Sequence, residues 1–174
     1  MKANERLNAL EVALNNEMNE RQFYLNNAER TRNPVGKAMF ARIADDELEH
    51  YEMLKKLHAE WTANGKWPDT VPLTVNKTSV KTILQRMVDE SKDAPASDSD
   101  DLAAVQAAAQ FESKGVDLYR ELAEASTDKK EKEFFMLLSG IEREHFLSLK
   151  DMEEFIRNPS AWYTAKERHG MDGA

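Results

Sequence analysis

The sequence predicts an all-α protein, a four-helix bundle made of two helical hairpins joined by a long crossover connection. Three observations lead there. The first is composition: 174 residues hold only 6 Gly and 5 Pro, with 41% hydrophobic and 32% charged residues. That is the profile of long amphipathic helices, not of strands, which need frequent turns. The second is periodicity, with apolar residues recurring at alternating steps of three and four along four long stretches. The third is an internal repeat. Glu17, Tyr24, Glu47, Glu49 and His50 recur without a gap as Glu112, Tyr119, Glu142, Glu144 and His145, each 95 positions further on. The length suits one domain with a sizeable core, taken as residues 1–174.

The elements follow in order. A first helix is predicted over about 4–32, with Leu7, Leu10, Leu14, Glu17, Arg21, Tyr24 and Ala28 on its inner stripe. Asn33-Pro34 ends it and begins the next, Asn33 as N-cap and Pro34 at the first helical position. The second helix, about 34–63, carries Gly36, Phe40, Ile43, Glu47, His50, Leu54, Leu57 and Trp61 inward and fades near Asn64-Gly65. A connector over about 64–98 is marked by Pro68, Pro72, Pro95 and the polar run from Ser97 to Asp100. Within it, Val80, Ile83, Leu84 and Met87 suggest a short helix between Ser79 and Glu90. A connector this long can cross the bundle from one hairpin to the other. The third helix, about 100–125, turns Leu102, Val105, Ala109, Glu112, Val116, Tyr119 and Ala123 inward. Ser126-Thr127 is read as the cap of the fourth, about 128–157, whose stripe is Phe135, Leu138, Glu142, His145, Leu149, Met152 and Ile156. The tail, 158–174, is expected to add a short helix around Trp162 and Tyr163 and then a mobile end.

Charge and cysteine content narrow the function classes. The net charge of −8, from 24 basic and 32 acidic residues, disfavours nucleic acid and anionic membrane as partners. The absence of cysteine excludes disulfide scaffolds, thiol catalysis, zinc ribbons and cysteine-ligated iron–sulfur centres. Any metal must be held by oxygen and nitrogen. Met1 to Arg6 leads into no apolar signal core, and no apolar run has the length of a membrane span, so a cytoplasmic location is expected.

The repeat carries the chemistry. Glu47 and His50 are three apart, as are Glu142 and His145, so each pair shares a helix face. That face is the apolar stripe, where Leu or Phe would be expected, and Glu17 and Glu112 lie on theirs too. Bare buried carboxylates are costly, and gathering several is worse, so a cation must offset them. Glu17 lies roughly 15 residues before the hairpin turn and Glu47 roughly 14 after it, which at about 1.5 Å per residue sets them level. The second hairpin repeats this with Glu112 and Glu142. Four carboxylates and two imidazoles then converge in mid-bundle, matching the charge of two divalent cations. One Glu from each of two helices with Glu-x-x-His from each of the other two is the di-iron or di-manganese pattern of ferritin-like bundles.

Other residues are less decided. Tyr24 and Tyr119, two turns beyond Glu17 and Glu112, are either core aromatics with a satisfied hydroxyl or hydrogen-bond donors to the ligand carboxylates. Glu20, one turn after Glu17, could reach the same metal, but its repeat equivalent is Gly115. Glu49 and Glu144 read as surface or packing groups, and His58 and His169 as surface residues. In a purely structural bundle the buried Glu and His would pair with Arg or Lys, and Arg21 is the candidate partner.

At these residues the chain resembles the rubrerythrin branch of the ferritin-like superfamily. The likeness rests on Glu17 through Tyr24, on Asp46-Glu47-Leu48-Glu49-His50, on Glu112 and on Glu142-Arg143-Glu144-His145, and spans roughly residues 5–157. The resemblance implies two iron ions held by Glu17, Glu47, His50, Glu112, Glu142 and His145, with manganese as the alternative metal and no catalytic residue beyond the ligands. It implies a homodimer that reduces hydrogen peroxide to water. Two departures stand out. Rubrerythrins proper carry an extra Glu three residues after the third-helix ligand, where this chain has Gly115, and Glu20 occupies the pseudo-symmetric place. They also carry a rubredoxin domain, which a chain without cysteine cannot form, so an external electron donor is expected, rubredoxin-like or another reductase. The other readings are a ferroxidase or iron-handling protein, with dioxygen as oxidant, and a manganese catalase-like site.

Overall fold

The computed structural model describes residues 3–68, 75–90 and 99–159. Among these are five helices and no strand: α1 (Ala3–Arg30), α2 (Pro34–Asn64), α3 (Val80–Glu90), α4 (Ser99–Ala125) and α5 (Lys129–Arg157). The expected helix around Trp162 and Tyr163, His169, Pro72 and Pro95 lie outside the described residues.

The turns follow from local chemistry. Asn33 caps α2, its side chain accepting from Val35 N (2.9 Å) and Gly36 N (3.1 Å), with Pro34 at the start. Gly65 ends α2 in the left-handed region (φ 64°), where its N–H reaches Trp61 O. The first helix ends two residues earlier than expected, at Arg30, and the cap of the last helix differs from the sequence reading. The cap of α5 is Asp128, not Ser126-Thr127: its carboxylate accepts from Lys130 N and Glu131 N. Ser126 closes α4 instead, donating to Leu122 O at 2.6 Å. Both side chains could cap, but a charged carboxylate is the stronger acceptor at a helix N-terminus.

α1 packs along α2 and α4 along α5, and the two hairpins meet through α1 with α4 and α2 with α5. α3 lies against α2 and α5. The connector is tied to α2 just ahead of α3. Asn76 donates twice to Glu49 Oε1 at 2.9 Å, and Thr78 donates to Asp46 Oδ2 at 2.7 Å. Val80 and Leu84 of α3 are buried in the bundle.

The apolar core comes in two clusters. One gathers Tyr24, Phe40, Ile43, Val105, Leu149 and Met152. The other gathers Leu10, Leu54, Leu57, Tyr119, Phe135 and Leu138. On each of the four long helices, the Glu and His residues of the repeat fall between the stretch that enters one cluster and the stretch that enters the other. The bundle therefore has an apolar half above and below, with a polar layer at its waist.

Candidate metal centre

Each helix supplies its residues to that layer from its inner stripe. Glu17, Glu47, His50, Glu112, Glu142 and His145 are all buried, none more than 2% exposed. They form two overlapping groups that could hold a metal ion: Glu17, Glu47, His50 and Glu142, and Glu47, Glu112, Glu142 and His145. Glu47 and Glu142 belong to both. His50 Nδ1 lies 3.3 Å from Glu17 Oε2, 3.3 Å from Glu47 Oε2 and 3.1 Å from Glu142 Oε1. His145 Nδ1 lies 3.4 Å from Glu47 Oε1, 3.4 Å from Glu112 Oε2 and 3.6 Å from Glu142 Oε2. The two rings face each other with centroids 6.2 Å apart and planes 23° from parallel.

Hydrogen bonding sorts the atoms of the cluster. Tyr119 donates to Glu17 Oε1, and Tyr24 donates to Glu112 Oε1, each reaching across from the other hairpin. That leaves Glu17 Oε2, Glu112 Oε2, both oxygens of Glu47, both oxygens of Glu142 and Nδ1 of each histidine buried with no hydrogen-bond partner. Eight orphaned acceptors in one buried layer is a large penalty for a protein to carry without a ligand. They divide four and four between the two groups, with Glu47 and Glu142 giving one oxygen to each. Hard carboxylate oxygens with imidazole nitrogen suit iron, manganese or zinc. The residues thus fit a metal by position, burial and donor chemistry.

Electrostatics agree. Burial pushes the Glu47 carboxyl well above the usual range, and the charges of Glu142, Glu17 and Glu112 add to it. Glu112 is pushed up to about 8 by burial and by Glu142. Although burial opposes it, the close approach of Glu112 and both imidazoles holds Glu142 well below the usual range. Both histidines are raised well above theirs against the effect of burial, His50 chiefly by the charge of Glu17 and His145 chiefly by that of Glu112. Without a cation, the cluster offsets its charge by retaining protons.

Glu20 joins neither group, yet it feels both. Half-buried beside the cluster, it is pushed up to about 9 by burial and by Glu112, Glu142 and Glu17. Gly115 has a steric role: a Cβ there would meet Glu142 Cγ at 3.2 Å and Cδ at 3.5 Å. Arg21, the candidate partner in a structural reading, makes no ion pair with the cluster, and among the described residues its Nε has no hydrogen-bond partner. Glu144 is exposed, and His58 is half-buried 3.5 Å from Glu11.

Asp46 is the residue that the sequence marks only as an asymmetry, standing where its repeat twin is Ile141. It is buried, and its Oδ2 lies 3.0 Å from His145 Nε2. Arg42 donates to its Oδ1 and Thr78 to its Oδ2. Burial opposes its ionisation, but the hydrogen bonds from His145 and Thr78 and the Arg42 charge hold it below the usual range. A signal existed in the sequence: Asp46 aligns in the repeat with Ile141, so an acidic residue stands where its twin is apolar.

A family model described as Rubrerythrin matches residues 8–94. The match takes in α1, α2 and α3, and with them Glu17, Glu47 and His50. The second hairpin, with Glu112, Glu142 and His145, enters the site through the repeat and the geometry. No curated protein and no solved structure matches the chain. Among the described residues, no helix is long and apolar enough to cross a membrane.

Proposed function

The chain belongs to the rubrerythrin family, and on that premise we propose that it is a di-iron oxidoreductase that reduces hydrogen peroxide to water with electrons from an external donor. The observation that carries the reading is the division of the eight orphaned atoms into two sets of four. Glu17, His50, Glu47 and Glu142 would hold one ion. Glu112, His145, Glu47 and Glu142 would hold the other. When bound, a pair of ferrous ions supplies two electrons and Lewis acidity at adjacent points. Cleaving the O–O bond of hydrogen peroxide takes two electrons and two protons and leaves two waters, which is the capacity of such a pair.

The chain's own groups do the rest. Four carboxylates would offset the cations, and Glu47 and Glu142 belong to both candidate positions. Tyr24 and Tyr119 hold the outer carboxylates from the opposite hairpin, so that one oxygen of each points into the site. The apolar clusters on either side exclude bulk water, which strengthens every interaction inside. Glu20, half-buried beside the cluster, has its carboxyl pushed up to about 9 by burial and by Glu112, Glu142 and Glu17, so it holds a proton next to the site. A separate reductase as donor, a homodimer and a cytoplasmic setting belong to the same reading.

Stopped-flow oxidation of the diferrous protein tests it. The proposal expects hydrogen peroxide to oxidise the centre much faster than dioxygen. Dioxygen at least as fast as peroxide, with many ferrous ions turned over per chain, would establish the ferroxidase reading instead. Manganese in the native protein, with catalase activity, would establish the manganese reading.

A further inference from the structure

We propose that Asp46 is a positioning residue that makes the two metal positions unequal, so that the position built on His145 and Glu112 fills first. The inference rests on the dinuclear reading above and concerns what the near-symmetry of the repeat leaves out. The six repeat residues around the cluster are matched one for one between hairpins. Their surroundings are not. On α2, Arg42 and Asp46 form an ion pair one turn before the cluster. The residues 95 positions on are Leu137 and Ile141, both apolar, and Ile141 is buried at 3% exposure.

The consequence falls on the histidines. His145 Nε2 lies 3.0 Å from Asp46 Oδ2, which fixes the proton on that nitrogen and turns the Nδ1 lone pair toward Glu47, Glu112 and Glu142. Asp46 is itself held, by Arg42 at Oδ1 and by Thr78 at Oδ2, so the ring has little freedom to turn. A carboxylate hydrogen-bonded to a ligand imidazole also raises the basicity of its metal-facing nitrogen. Among the described residues, His50 Nε2 pairs with no carboxylate; its carboxylate contacts all run through Nδ1. The His145 position is therefore preorganised and the His50 position is not. Thr78 belongs to the connector ahead of α3, so the crossover segment takes part in setting this difference.

The test is an anaerobic titration of the metal-free full chain with Co(II), followed by calorimetry and by the visible bands of the bound ion. Two steps are expected, separated by about 10- to 100-fold in affinity, the usual effect of a carboxylate behind a ligand histidine. His145→Ala should remove the tighter step and His50→Ala the weaker. Asp46→Ile, which gives α2 the residue α5 already has, should weaken the tighter step until the two merge. Asp46→Asn keeps the shape and an acceptor but not the charge, and should fall between. Two equal steps in the wild type would overturn the inference while leaving the dinuclear reading in place. So would an unchanged ratio in Asp46→Ile and Asp46→Asn; should the former fail to fold by circular dichroism, the latter decides alone. Failure to bind Co(II) at all would overturn the dinuclear reading itself.

Discussion

Glu47→Gln separates a metal ligand from a structural carboxylate. Glu47 is fully buried, neither of its oxygens has a hydrogen-bond partner, and it belongs to both candidate groups. Its carboxyl is already pushed up by burial and by its three Glu neighbours. Replacing a carboxyl that already keeps its proton with a neutral isostere therefore changes little charge in the metal-free protein and breaks no ion pair with Arg or Lys. The metal-free protein should keep its stability to within about 1 kcal/mol, or gain slightly. With metal the sign reverses. A cation at 100 times its dissociation constant stabilises the folded state by about 2.7 kcal/mol per position, or about 5 kcal/mol for two. For a chain of this size, that corresponds to a Tm gain of roughly 10–20 °C. The assay is anaerobic calorimetry with and without Fe(II) or Mn(II). The wild type should show the full gain and Glu47→Gln very little of it. Glu17→Gln, which touches only one group, should keep about half. A Glu47→Gln variant that melts well below wild type without metal, or that retains the full gain with it, would show that Glu47 is a structural carboxylate and not a metal ligand.

Three further outcomes follow. Metal-free stability should fall as pH rises from about 6 to 9: Glu47, Glu112, Glu20, His50 and His145 all have raised folded-state pKa values, so the stability they contribute is full below their unfolded values and lost through the folded ones, about 8 for Glu112 and about 9 for Glu20. Metal-loaded protein should show the opposite trend over that range, because cations compete with those protons, and a pH-stat should record proton release on loading. Tyr119→Phe and Tyr24→Phe should each cost about 1–3 kcal/mol in denaturant melts, by orphaning an oxygen of Glu17 or Glu112, and should weaken metal binding without changing its stoichiometry. Gly115→Ala should add up to about 1 kcal/mol of helix stability to the metal-free protein, yet lower metal affinity in a titration, because its Cβ would press on Glu142 Cγ from 3.2 Å.

The bundle and its waist were legible in sequence for a physical reason. Glu17, Glu47, His50, Glu112, Glu142 and His145 interrupt apolar stripes, and a carboxylate on a core stripe is rare enough to stand out against its neighbours. The turn at Asn33-Pro34 was equally plain, because cap and first-position proline together have few other uses. Long-range detail was harder to see. The cap of α5 was placed on Ser126-Thr127, and only the backbone geometry separates them from the neighbouring Asp128, whose side chain caps just as well in sequence. The crossed bonds of Tyr24 to Glu112 and Tyr119 to Glu17 depend on how the hairpins dock, which no local pattern states. Asp46 was visible only as a mismatch with Ile141, since its partners His145 and Thr78 lie 99 and 32 residues away. Glu49 repeats as Glu144, and Glu49 fastens the connector through Asn76, a bond that depends on where the connector runs.

The proposed dinuclear site puts two metal ions at the waist of this bundle, on eight otherwise orphaned atoms. Metal counting after anaerobic reconstitution and removal of excess Fe(II) tests it most directly. Two ions per chain are expected in the wild type and fewer than one in the Glu47→Gln, Glu142→Gln double variant. Near-zero metal in the wild type, or full loading of the double variant, would contradict it.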